Sequence, residues 1–145
     1  MNKDFDSLLS KRGLVTCELE NFDLVNTLKS NIKSVLKNSF GLSISELDEF
    51  HKFIDQKELN NIRLKLALSL NENSFASDLI YSKLEDLLQK LLGPDIAIQK
   101  NVGLSIQTPG DSSSLLHVHS DVYDSDCSPY EIVIWIPLVT VSYTH

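Results

Sequence analysis

The chain of 145 residues carries a net charge of −7, with 42% hydrophobic and 23% charged residues, enough apolar matter for one domain with a buried core. That acidic balance excludes a general nucleic-acid binder, which needs a basic surface. No apolar run is long enough for a signal peptide or a membrane span, and Cys17 and Cys127 are too far apart in sequence for a CxxC knuckle or a disulfide framework, so a reducing cytoplasm is the expected setting.

The first two thirds read as helices. From Asp23 onward, Leu24, Leu28, Ile32, Val35 and Leu36 recur at helical spacing, and Gly41 in "NSFG" supplies a stop. Ser43 or Ser45 is placed to cap a shorter helix through Leu47, Phe50 and Ile54. Asp55 with Glu58 resembles a capping box, opening a helix that carries Leu59, Ile62, Leu66 and Leu70 on one face. "NENS" breaks it. A fourth helix with Leu84, Leu87, Leu88, Leu91 and Leu92 ends at Gly93-Pro94, a terminating pair.

After Gly93 the pattern changes. "DIAIQKNVGLSIQ" alternates roughly by two and is rich in β-branched residues, which predicts one or two strands. "TPGDSSS" reads as a loop, "LLHVHS" as a short strand, "DVYDSDCSP" as a polar loop and "YEIVIWIPLVTVSY" as a long, mostly buried strand. The expected class is α+β: a helical region over 1–93, then the opening strands of a β domain over 94–145. Charge divides at the same point. Of thirteen Lys and Arg only Lys100 follows Gly93, whereas Asp95, Asp111, Asp121, Asp124, Asp126 and Glu131 all do. Three or four strands cannot close a sandwich or barrel and would leave a long apolar edge, so the chain is expected to stop inside a larger β domain.

His117, His119 and Asp121 alternate, and on an extended strand they would share one face. Neutral imidazole and carboxylate suit Fe(II), Zn and Mn, and an H-x-D pair fills two adjacent positions around an octahedral metal. Alone, H-x-D is an unspecific motif; a strand before it, a polar loop after it and a long apolar strand containing Trp135 give it context.

The run "IQTPGDSSSLLHVHSDVYDSDCSPYEIVIWIPLV", Ile106 to Val139, resembles the first metal-binding stretch of Fe(II)/2-oxoglutarate-dependent oxygenases of the phytanoyl-CoA dioxygenase-like kind. It is most similar to the branch found among carbohydrate-biosynthesis clusters, where an H-S-D or H-A-D step precedes S-P-[FY]-E and W-[IV]-P-L. The resemblance implies a double-stranded β-helix (jelly roll) and an oxygenase that uses iron and 2-oxoglutarate on a small molecule, with a sugar or sugar derivative suggested by the branch alone. It implies iron ligation by His119 and Asp121, a polar position near the co-substrate at Gln107, and an aromatic position lining the same pocket at Trp135. His117 has no matching ligand role and stands as a pocket neighbour. The family also needs a distal histidine followed by Arg or Lys, to pair with the far carboxylate of 2-oxoglutarate. His145 returns sooner than that pattern uses, and no basic residue follows Lys100.

Two other readings use the same residues. "HVHSDV" matches the H-x-H-x-D-H of metallo-β-lactamase-like zinc hydrolases as far as the aspartate, but Val122 stands where the last histidine belongs. A non-catalytic helical interaction domain would treat the histidines as polar strand residues. Gln107 then is an ordinary exposed residue, Trp135 is core packing, and His51, beside Lys52, is simply solvated.

Overall fold

The computed structural model describes residues 5–18, 23–110 and 131–140. Four α-helices occur among them: α1 (Phe5–Arg12), α2 (Asp23–Phe40), α3 (Leu59–Asn71) and α4 (Phe75–Leu92). None is long and apolar enough to cross a membrane. Helix α1 was not anticipated from the sequence. It is two turns long and stops at Gly13, whose φ of +66° allows its N–H to reach Leu9 O at 2.8 Å.

On α2 the buried residues are Leu24, Leu28, Ile32 and Leu36, each four after the last. Four residues turn slightly more than one revolution, so these side chains form one slowly drifting stripe. Gly41, at φ +69°, closes the helix by donating to Lys37 O at 3.0 Å. Helix α3 answers with Ile62, Leu66 and Leu70, and Ile44, Phe50 and Ala76 complete the central cluster. A side-chain bond from Ser69 Oγ to Asn31 Oδ1 at 3.2 Å ties α3 to α2 at the margin of that core. Leu84 and Leu88 are the buried apolar positions farther along α4.

Two expected helix starts differ. Leu47–Lys52 forms a 3-10 turn instead of a helix reaching Ile54, and neither Ser43 nor Ser45 caps it; the Ser45 carbonyl instead accepts from Lys33 Nζ. Asp55 does not cap α3. Its Oδ1 accepts from the Lys57 N–H at 3.1 Å in a local turn, and Glu58 takes the N-cap position without a side-chain capping bond. The "NENS" break is a pair of left-handed residues, Asn73 (φ 51°) and Ser74 (φ 59°), which reverse the chain between α3 and α4. Gly93, at φ +89°, ends α4.

The anticipated α+β class, with the opening strands of a jelly roll, is overturned: no residue among those described forms a strand or sheet. The stretches 95–107 and 131–140, which fall in the segments expected to be strands, lie against the helices without a ladder. Val102, Leu104 and Ile106 pack on the helical core while Asn101, Gly103, Ser105 and Gln107 are exposed; Ile136 and Leu138 pack on the same core. Alternation by two belongs to any extended chain with one face covered, whereas a strand also needs a neighbour for its backbone. The periodicity was legible, but the pairing inferred from it is absent here. The predicted short strand at "LLHVHS" lies outside the described residues.

Candidate functional site

Besides the packing of Val102, Leu104 and Ile106 on the core, one side chain bonds the post-helical segment to the helices. Asn71, the last residue of α3, turns its carboxamide onto the backbone of Val102: Val102 N–H donates to Asn71 Oδ1 at 2.7 Å, and Asn71 Nδ2 donates to Val102 O at 3.1 Å. In an extended residue the N–H and C=O point to the same side, so one planar carboxamide can satisfy both, as an opposing strand residue would. In a helical residue they point opposite ways and this two-point bond cannot form. Sequence reasoning missed this role because "NENS" read only as a helix breaker. An Asn at the C-terminal end of a helix was the available signal, but its partner 31 residues on was not legible.

Beyond Val102 the segment borders a broad cleft between the helices and the residues of 95–110 and 131–140. The cleft spans about 1950 Å³, above the roughly 300–1,000 Å³ of a formed small-molecule pocket, and it is an open gap rather than a shaped cavity. Gln107 and Trp135, the two expected pocket residues that are described, both border it. Gln107 is exposed on the outward side of its segment. Trp135 borders the cleft yet keeps 73% of its surface accessible, which excludes plain core packing. Val133 beside it is also largely exposed.

His51 is exposed on the 3-10 turn, with Nδ1 2.9 Å from Asp48 O. Since the carbonyl can only accept, this contact puts a proton on Nδ1. Lys52 next to it bonds Glu49 Oε1 at 2.8 Å; the hydrogen bond, and then the charge of Glu49, raise the lysine pKa above its ordinary value. Both partners are substantially exposed, so the pair adds little to stability.

His117, His119 and Asp121 lie outside the described residues, as do Cys127 and His145. Among the described residues no group of three or more His, Cys, Asp or Glu side chains is placed to hold a metal ion. Every buried side-chain N or O atom among them has a hydrogen-bond partner, so the described core holds no orphaned polar group that asks for a ligand.

Compared with protein-family models, curated proteins and solved structures, the chain has no match.

Proposed function

We propose that this chain is a non-haem Fe(II)/2-oxoglutarate-dependent oxygenase acting on a small molecule. The observation that supports the reading is the run Ile106–Val139, in which His119 and Asp121 are spaced as H-x-D between an apolar segment and "SPYEIVIWIPL". One imidazole and one carboxylate are two of the three protein ligands that such an Fe(II) centre takes, and no group of three or more ligating side chains stands together among the described residues. Iron, when bound with 2-oxoglutarate, supplies the oxygen activation for which no side chain is equipped.

The chain's own residues hold, orient and shield. His119 and Asp121 would hold the metal. Gln107 offers its side-chain N–H to a carboxylate of the co-substrate. Trp135 presents a large apolar face that keeps water from one side of the site. His117 serves as a hydrogen-bonding neighbour rather than a ligand. A carbohydrate-related substrate is favoured by the branch resemblance, and a phosphate-bearing one fits poorly beside Asp121, Asp124 and Asp126.

The test is paramagnetic. The ¹⁵N-labelled chain is titrated with Mn(II), a redox-inert stand-in for Fe(II), with and without 2-oxoglutarate. Backbone signals of residues 117–122 should broaden first, 2-oxoglutarate should lower the Mn(II) concentration needed, and His119→Ala or Asp121→Ala should each abolish the effect. Broadening that survives both substitutions refutes the ligand assignment. Tight Zn(II) retention with no response to 2-oxoglutarate would favour the hydrolase chemistry instead.

A further inference from the structure

We propose that two copies of this chain exchange their N-terminal arms about a two-fold axis, residues 11–17 of one copy docking along 131–135 at the cleft of the other.

Each surface lacks what the other offers. Among the described residues no backbone hydrogen bond reaches 131–140, although Ile136 and Leu138 pack on the core. A chain anchored on one side, with its N–H and C=O groups open, is a template for pairing with a further chain. The outward side chains are apolar: Val133 is 61% exposed and Trp135 73%. Charge narrows the choice of occupant. The cleft is lined by Asp48, Asp95 and Glu131 and by no Lys or Arg, so it suits a chain that is apolar and cationic.

The N-terminal arm has that chemistry. Lys11 and Arg12, both exposed, stand in the last turn of α1, and Leu14, Val15, Thr16 and Cys17 follow outside any helix or strand. Among the described residues no backbone hydrogen bond reaches 14–18, and Leu14 is 68% exposed. In a parallel register Arg12 meets Glu131, Leu14 covers Val133 and Thr16 lies beside Trp135, because side chains two apart share a face. Glu18 then falls opposite Pro137, which has no N–H, and the pairing ends there. None of residues 5–18 lines the cleft of its own chain, which leaves the groove to the arm of another copy. Reciprocal exchange fills both grooves and closes the assembly as a dimer. His119 and Asp121 belong to neither surface, so the exchange stands or falls apart from the oxygenase reading.

Analytical ultracentrifugation of the whole chain over a dilution series, with Trp135 emission in parallel, tests the exchange. Wild type should form a dimer that dissociates on dilution, and Trp135 emission should move to the red as it does. One variant carries Lys11→Glu with Arg12→Glu, the other Asp95→Lys with Glu131→Lys. All four positions are exposed, so the fold should tolerate the changes. Each variant alone should dimerise at least about tenfold more weakly, since like charges then meet at both contacts. An equimolar mixture should recover dimerisation, because each arm finds the opposite charge in the other's groove. Leu14→Asp should weaken wild-type dimerisation at least about tenfold as well. A wild type that stays monomeric at every concentration overturns the proposal; protected Trp135 emission in that monomer would place the arm in its own groove. A dimer unaffected by Leu14→Asp and by both charge reversals also overturns it, as expected if 131–140 pairs with itself. So does a mixture that associates no better than its components.

Discussion

Leu66 and Leu68 put the helical packing to a direct test, because they are the same residue type two positions apart on α3 with opposite surroundings. Leu66 is 2% exposed in the central cluster, and Leu68 is 69% exposed. Leu66→Ala removes three buried carbon groups, about 2.4 kcal/mol at roughly 0.8 kcal/mol per group. The space left behind adds a cavity cost, which brings the expected loss to about 3–4 kcal/mol. Leu68→Ala removes carbons already in water and replaces leucine with the best helix former, so it should change stability by less than about 0.5 kcal/mol. Thermal and urea unfolding followed by far-ultraviolet circular dichroism would measure both. A 3 kcal/mol loss corresponds to a Tm lower by about 6–12 °C for a chain of 145 residues. Equal losses at the two positions would refute the assignment of faces, and a Leu68→Ala loss above about 2 kcal/mol would mean that the outer face of α3 is covered in solution.

Three further outcomes follow from local geometry. Ser74, left-handed at φ 59°, should tolerate Ser74→Gly with a change between about zero and 1 kcal/mol in favour of folding, whereas Ser74→Val should destabilise by more than about 1 kcal/mol; urea midpoints at constant m distinguish them. Gly93→Ala, at φ +89° and ψ 179° with nothing near its added Cβ, should cost about 1–3 kcal/mol through backbone strain alone, and Gly93→Asn should lose as much, because that region is essentially reserved for glycine. Trp135 is the sole tryptophan, and its exposure predicts native fluorescence close to that of the urea-unfolded chain and readily quenched by iodide; a blue-shifted, protected emission would show its ring to be covered.

The helical half was legible because helical burial is a local property. Leu24, Leu28, Ile32 and Leu36 announce a face through their spacing alone, and Gly41 and Gly93 announce its ends through the left-handed geometry that they tolerate. Where reading failed, the deciding partner was distant or the competing geometry was near in energy. Asp55 and Glu58 had the residue types of a capping box, but a local turn onto Lys57 took the carboxylate first. Helix α1 is too short to show a sustained period.

The second half shows why alternation was an incomplete guide. Val102, Leu104 and Ile106 alternate because a helical core lies under one side of them, and the backbone bond that a strand would find in a neighbour comes from a side chain of α3. A sequence pattern records which face is covered, not what covers it or where the backbone is satisfied. The same distinction governs the site. The spacing of His119 and Asp121 states what two side chains could jointly hold, and chemistry of that kind is readable at short range. The Asn71–Val102 bonds are of the other kind: they join residues 31 apart, and no local spacing announces them. A residue pattern thus reports short-range chemistry and coverage, whereas contacts across 31 residues are read only from the fold.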